Sequence, residues 1–144
     1  MKAEINPLVV DASVSLAWCF DEEKTPYTEL VLDHAARGAE LIVPPVWLLE
    51  MTNVLLIAER RKRLTTSQAD LFLDQLEHFN ISVDVPSISR AFGRFFDEAR
   101  LWHLSSYDAS YLELAMRRGV PLATLDEDLK KAARIAGVST SLTL

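Results

Sequence analysis

The stretch Leu8-Val9-Val10-Asp11-Ala12-Ser13 decides how the rest of the chain is read. A short apolar run stops at a carboxylate and is followed by small residues that can open a helix. Read as a buried strand, Leu8 to Val10 delivers Asp11 to the strand's C-terminal end. In open α/β sheets, ligands sit in the crevice outside that edge. The arrangement recurs at Pro121-Leu122-Ala123-Thr124-Leu125-Asp126, where a second apolar run ends in an acid.

Working outward from these two runs, helices and strands alternate. Val14 to Phe20 reads as a short helix that stops at the acidic loop Asp21-Glu22-Glu23. Thr25-Pro26 supplies an N-cap and an N1 proline for a helix that Gly38 closes. Leu41-Ile42-Val43 is a second short strand, halted by Pro44-Pro45. Val46 to about Lys62 has helix length and is apolar nearly all round, which implies burial on several sides or a subunit contact. Thr65-Thr66-Ser67 offers an N-cap for a helix from about Gln68 to Phe79, and Ile81 to Val85 is a strand candidate. Pro86-Ser87 starts a helix to about Leu101, and Ser105 or Ser106 caps the next, which Gly119 ends. After Pro121–Leu125 come a helix from Glu127 to Ala136 and a last short strand near Val138–Leu142. This alternation predicts an α/β fold with a mainly parallel sheet covered on both faces. With 144 residues and no linker or repeat, residues 1–144 read as one domain.

Composition narrows the function. Hydrophobic residues at 49% and charged residues at 25% are ordinary for a soluble globular chain. Cys19 is the single cysteine, which excludes an internal disulfide and a thiolate zinc site and suits a reducing compartment. Lys2 is followed at once by Glu4, and the first apolar stretch is broken by Asp11, a pattern unlike a signal peptide. No run is long and apolar enough to span a membrane, so a cytoplasmic location is expected. The net charge of −6 argues against coating nucleic acid through bulk positive charge, though not against a local grip.

Four acids stand out against their simplest alternatives. Asp11 and Asp126 each precede a helix and would serve equally well as plain N-caps. Glu50 is harder to dismiss, because its one-turn neighbours Val46, Val54 and Ile57 form an apolar stripe. A carboxylate there is costly unless it is paired or binds a cation. Asn53 lies three residues on and is placed to hold it by hydrogen bonding; a snorkelling Glu at the core's edge is the alternative. Asp108 has Leu104, Tyr111 and Leu112 as one-turn neighbours, and its alternative role is to complement the helix dipole. If all four converge, their repulsion calls for a cation, and an all-oxygen carboxylate set suits Mg²⁺ or Mn²⁺. Such ions activate water and stabilise charge at a phosphodiester. Arg60-Arg61-Lys62-Arg63, Arg117-Arg118 and the three histidines read as solvated or structural, with Glu113–Arg117 as a surface pair. Trp18, Trp47 and Trp102 read as core or interface, and no glycine-rich phosphate loop is present.

Taken in order, Val9-Val10-Asp11-Ala12-Ser13, Pro44 to Leu55 with Glu50 and Asn53, Tyr107-Asp108-Ala109 and Ala123-Thr124-Leu125-Asp126 resemble the PIN-domain ribonucleases, VapC toxins of VapBC toxin–antitoxin pairs above all. The resemblance covers essentially the whole chain and implies a PIN-like three-layer α/β/α fold. It carries the family's acidic quartet onto Asp11, Glu50, Asp108 and Asp126, with Ser13 and Asn53 as polar helpers. Asp128, two residues past Asp126, is a possible alternate acid. It further implies RNA cleavage with Mg²⁺ or Mn²⁺, a homodimer, and silencing by a cognate VapB-like antitoxin. Two other classes compete. One is a PIN-like chain that only binds RNA or a protein partner, against which the intact quartet argues. The other is a receiver-like signalling domain, which Glu50 on its helix fits poorly.

Overall fold

Three tripeptides and one dipeptide, apolar except for Ser82, build the sheet in the computed structural model, which describes residues 5–142. The strands are β1 (Leu8–Val10), β2 (Leu41–Val43), β3 (Ile81–Val83) and β4 (Leu122–Ala123). All pairings are parallel, in the order β3-β2-β1-β4. Residues of β1, β2 and β4 are fully buried, as expected of strands covered on both faces.

The helices follow the capping signals closely. Asp11 precedes α1 (Ala12–Ala17), and a 3₁₀ turn occupies Asp21–Glu23. Thr25 caps α2 (Pro26–Ala36) through a reciprocal bond pair with Thr28. Then come α3 (Pro45–Arg60) and α4 (Thr66–Glu77), the latter with a Thr65–Gln68 capping box. The next rod is continuous but not uniform: α5 (Ile88–Arg90), a π-helical stretch (Ala91–Phe95) and α6 (Phe96–Trp102). Ser105 caps α7 (Ser106–Arg118), and Asp126 caps α8 (Glu127–Ala136). Gly119 and Gly137 end these two helices at φ of +65° and +82°, the left-handed region glycine adopts without strain.

The connections explain the three layers. β1 to β2 to β3 steps one way across the sheet, whereas β3 to β4 steps back past two strands. Right-handed crossovers therefore place α1 to α4 on one face and the α5–α7 connection on the other. The reversal creates a topological switch point between β1 and β4, with Asp11 directly after β1 and Asp126 beyond the turn that follows β4.

Several expectations change. The last strand near Val138–Leu142 does not form; only the Leu122 amide reaches across, donating to the Ser139 carbonyl at 2.9 Å. The fourth strand is shorter than Pro121–Leu125, because Thr124 and Leu125 turn their hydrogen bonds toward residues 11 and 13 instead. Glu113–Arg117 is not a surface pair. Glu113 is buried, and with Asp84, Arg90 and Arg117 it forms a four-charge network that ties the loop after β3 to α7. The tryptophans Trp18 and Trp47 are core residues whose indole N–H groups donate to the Thr28 carbonyl and the Ser15 hydroxyl.

Candidate active site

The site lies at the C-terminal edge of the sheet, where four separate elements each bring one acid. Asp11 leaves β1, Glu50 stands on the second turn of α3, Asp108 lies in the first turn of α7, and Asp126 follows β4. Asp11 is buried at 5% exposure. Glu50 and Asp108 are half-buried, and Asp126 is exposed.

Asp11 is held most firmly. Its Oδ2 accepts from the Ser13 hydroxyl at 2.9 Å and from the Thr124 hydroxyl at 2.7 Å. Each hydroxyl is itself fixed, accepting from the Leu125 amide at 3.0 Å and the Asp126 amide at 3.0 Å respectively. The turn after β4 is thereby stapled to the end of β1, across the switch point. Burial pushes the Asp11 carboxyl above the usual carboxylate range, and the Thr124 and Ser13 hydroxyls oppose that rise.

Glu50 depends on a single partner, the Tyr111 hydroxyl, which donates to its Oε1 at 2.7 Å. Burial raises the Glu50 pKa, the Tyr111 bond lowers it, and the charges of Asp11 and Asp108 raise it further. Tyr111 is itself completely buried, and its phenol is pushed far up, first by burial and then by its bond to Glu50. It is a neutral donor throughout the physiological range. Asp108 is raised first by burial and then by the charges of Asp126 and Asp11; Asp128 contributes last. Asp126 uses Oδ1 to cap α8, accepting from the Leu129 amide at 2.8 Å. Asp128 is exposed in the first turn of that helix.

The charges of these acids thus act on one another, and among the described residues no Lys, Arg or His forms an ion pair with any of them. An uncompensated set of carboxylate oxygens fits a hard divalent cation and nothing softer. No three of the described acid, His or Cys side chains already stand as a ready coordination set. Asp11, Glu50, Asp108 and Asp126 are the residues that could hold such an ion, singly or in pairs.

The helper roles are partly redistributed. Ser13 bonds Asp11, whereas Asn53 is exposed and makes no side-chain hydrogen bond among the described residues. The hydrogen bond foreseen from Asn53 to Glu50 is made by Tyr111 instead, because the partner comes from across the fold and not from the same helix. Tyr111 and Thr124 are the polar partners that sequence reasoning missed. A signal existed for both: Thr124 is the polar residue inside the run Leu122–Leu125, and Tyr111 lies one turn beyond Asp108.

Comparison with known proteins agrees with this fold. The family model described as PIN domain matches residues 8–135. Ribonuclease VapC3 of Pyrobaculum aerophilum is 32% identical over 122 residues, a match covering 85% of this chain and 91% of that protein. The crystal structure of PAE2754 from Pyrobaculum aerophilum superposes with a TM-score of 0.67 at 23% identity, covering 89% of this chain and 80% of that one. The superposition speaks for the fold, and the sequence match for the lineage. With the ordered acids and the all-parallel sheet, these similarities place the chain in the PIN-domain family, as a member of the VapC type.

Proposed function

We propose that this protein is a divalent-metal-dependent endoribonuclease, the toxin of a type II toxin–antitoxin pair acting in the cytoplasm. The observation that carries the reading is the convergence of Asp11, Glu50, Asp108 and Asp126 from four elements, with the pKa values of Glu50 and Asp108 raised by burial and by neighbouring acids. Such crowding of carboxylates without a basic partner is costly unless a cation relieves it. A bound Mg²⁺ or Mn²⁺ supplies Lewis acidity, which makes water a better nucleophile and stabilises charge at the phosphodiester. The chain's own part is to hold the acids. Asp11 is fixed by two hydroxyls, Glu50 by Tyr111, and Asp126 by its capping bond to the Leu129 amide.

Asp126, not Asp128, completes this set. It leaves β4 on the same edge as Asp11, and its charge weighs more heavily on Asp108 than that of Asp128 does. The partners that the reading implies are an RNA substrate, a VapB-like antitoxin and a second copy of this chain. Self-association fits the exposed apolar side chains of the α5–α6 rod (Ile88, Phe92, Phe96, Leu101) and of α3 (Leu49, Leu56). No helix among the described residues is long and apolar enough to cross a membrane. The test is RNA cleavage with and without chelator. Cleavage that requires Mg²⁺ or Mn²⁺ and stops in EDTA supports the reading. RNA binding without cleavage at any metal concentration replaces it with a PIN-like binding module.

A further inference from the structure

We propose that Tyr111 is a positioning residue of the acidic centre, holding one oxygen of Glu50 so that the other is presented to the divalent cation. The inference rests on the metal-dependent reading above and names a residue outside the acidic quartet. Its geometric basis is the 2.7 Å bond from the Tyr111 hydroxyl to Glu50 Oε1. No other side chain among the described residues hydrogen-bonds Glu50, so this phenol alone decides where the carboxylate points.

The mechanical argument concerns freedom. A glutamate has three rotatable side-chain bonds and loses substantial entropy when it is fixed. Glu50 is half-buried, and the charges of Asp11 and Asp108 act on it. Left alone, such a carboxylate swings toward water and away from its neighbours. Tyr111 cannot swing with it. Its ring is completely buried in the core. The phenol is thus a rigid arm, anchored among the core residues of α7, that reaches across the sheet edge to α3.

Position on α7 adds a second consequence. Asp108 and Tyr111 are three residues apart on one helix, so they share a face and move as a unit. One helix therefore carries one acid of the centre and the restraint on another, and its docking sets both at once. A purely structural tyrosine would need a partner for its buried hydroxyl, but that partner would not have to be a functional carboxylate. Partners that orient metal ligands commonly change metal affinity about 10–100-fold when removed.

The experiment uses the full chain and Tyr111→Phe, which removes the hydroxyl and keeps the ring. Melting is measured in EDTA, Mn²⁺ affinity by calorimetry, and RNA cleavage as kcat and KM across a Mn²⁺ titration. The expected result is a folded variant in EDTA, Mn²⁺ affinity weakened about tenfold, an unchanged KM for RNA, and a kcat that excess Mn²⁺ recovers. Wild-type Mn²⁺ affinity in the variant, or a lost kcat that excess Mn²⁺ leaves lost, overturns the proposal while the metal reading stands. A variant that does not fold in EDTA assigns Tyr111 to the core and overturns it too. A wild-type protein that binds no Mn²⁺ overturns the metal reading itself.

Discussion

Replacing Thr124 by Val removes one hydroxyl from the centre of the site and leaves the side chain's shape almost unchanged. That hydroxyl is fully buried, donates to Asp11 Oδ2 at 2.7 Å and accepts from the Asp126 amide at 3.0 Å. A hydrogen bond to a charged group contributes about 1.5–3 kcal/mol, so the loss is about 2 kcal/mol once Asp11 is ionised. With unfolding entropy of about 2.1 cal/mol/K per residue, a chain of this length melts about 6–7 °C lower for that loss. The effect is pH-dependent, and its sign follows from the site. The Thr124 bond lowers the Asp11 pKa, which burial has raised, so removing it lifts that pKa further. The deficit is therefore small where Asp11 is protonated and grows as the pH rises through its titration. Melting curves in chelator at pH 4 and pH 8, for wild type, Thr124→Val and Thr124→Ser, measure this directly. Thr124→Ser, which retains the hydroxyl, is expected to keep most of the stability. An equal deficit at both pH values, or a Ser variant as damaged as the Val variant, would refute the charge-assisted bond as the cause.

Asp108→Asn is expected to abolish metal-dependent RNA cleavage while raising the melting temperature in chelator. The Asp108 pKa is raised, so its folded-state penalty is absent at low pH and grows as the pH rises; the variant's advantage over wild type should widen in the same direction. A variant that cleaves RNA at the wild-type rate, or melts lower at pH 8, contradicts this. Between the two neighbouring acids, Asp126→Asn should weaken Mn²⁺ binding and cleavage, and Asp128→Asn should leave both near wild type; calorimetry and cleavage rates giving the reverse order would exchange the roles. For self-association, wild type should sediment as a dimer at micromolar concentration. Phe92→Glu, at a side chain 77% exposed on the α5–α6 rod, should shift it to monomer, and a wild-type monomer would remove that interface.

Strand positions and helix starts were legible in the sequence because local chemistry decides them. Three-residue apolar runs halted by Asp or Pro, the Thr25 and Thr65 caps, and glycines past helix ends need only near neighbours to act. The acids were legible as candidates for a related reason: a carboxylate on an apolar stripe or at a strand end is conspicuous wherever the chain goes. Partners drawn from far along the chain were not legible. Glu50 and Tyr111 lie 61 residues apart, and Asp11 and Thr124 lie 113 apart, so local spacing favours Asn53 and nothing near Glu50 in sequence points to Tyr111 as its donor. The foreseen last strand failed for the same reason, since Val138–Leu142 had the composition of a strand but only one amide of β4 reaches it. Burial of Glu113, which spacing had paired with Arg117 at the surface, depended on Asp84 arriving from the loop after β3 and Arg90 from α5. Periodicity and capping are short-range, so the sequence by itself determined the helices and the first strands and singled out the acids as candidates. Side-chain hydrogen bonds across the sheet edge depend on strand order and helix docking, so only the tertiary structure decided which hydroxyl holds which carboxylate.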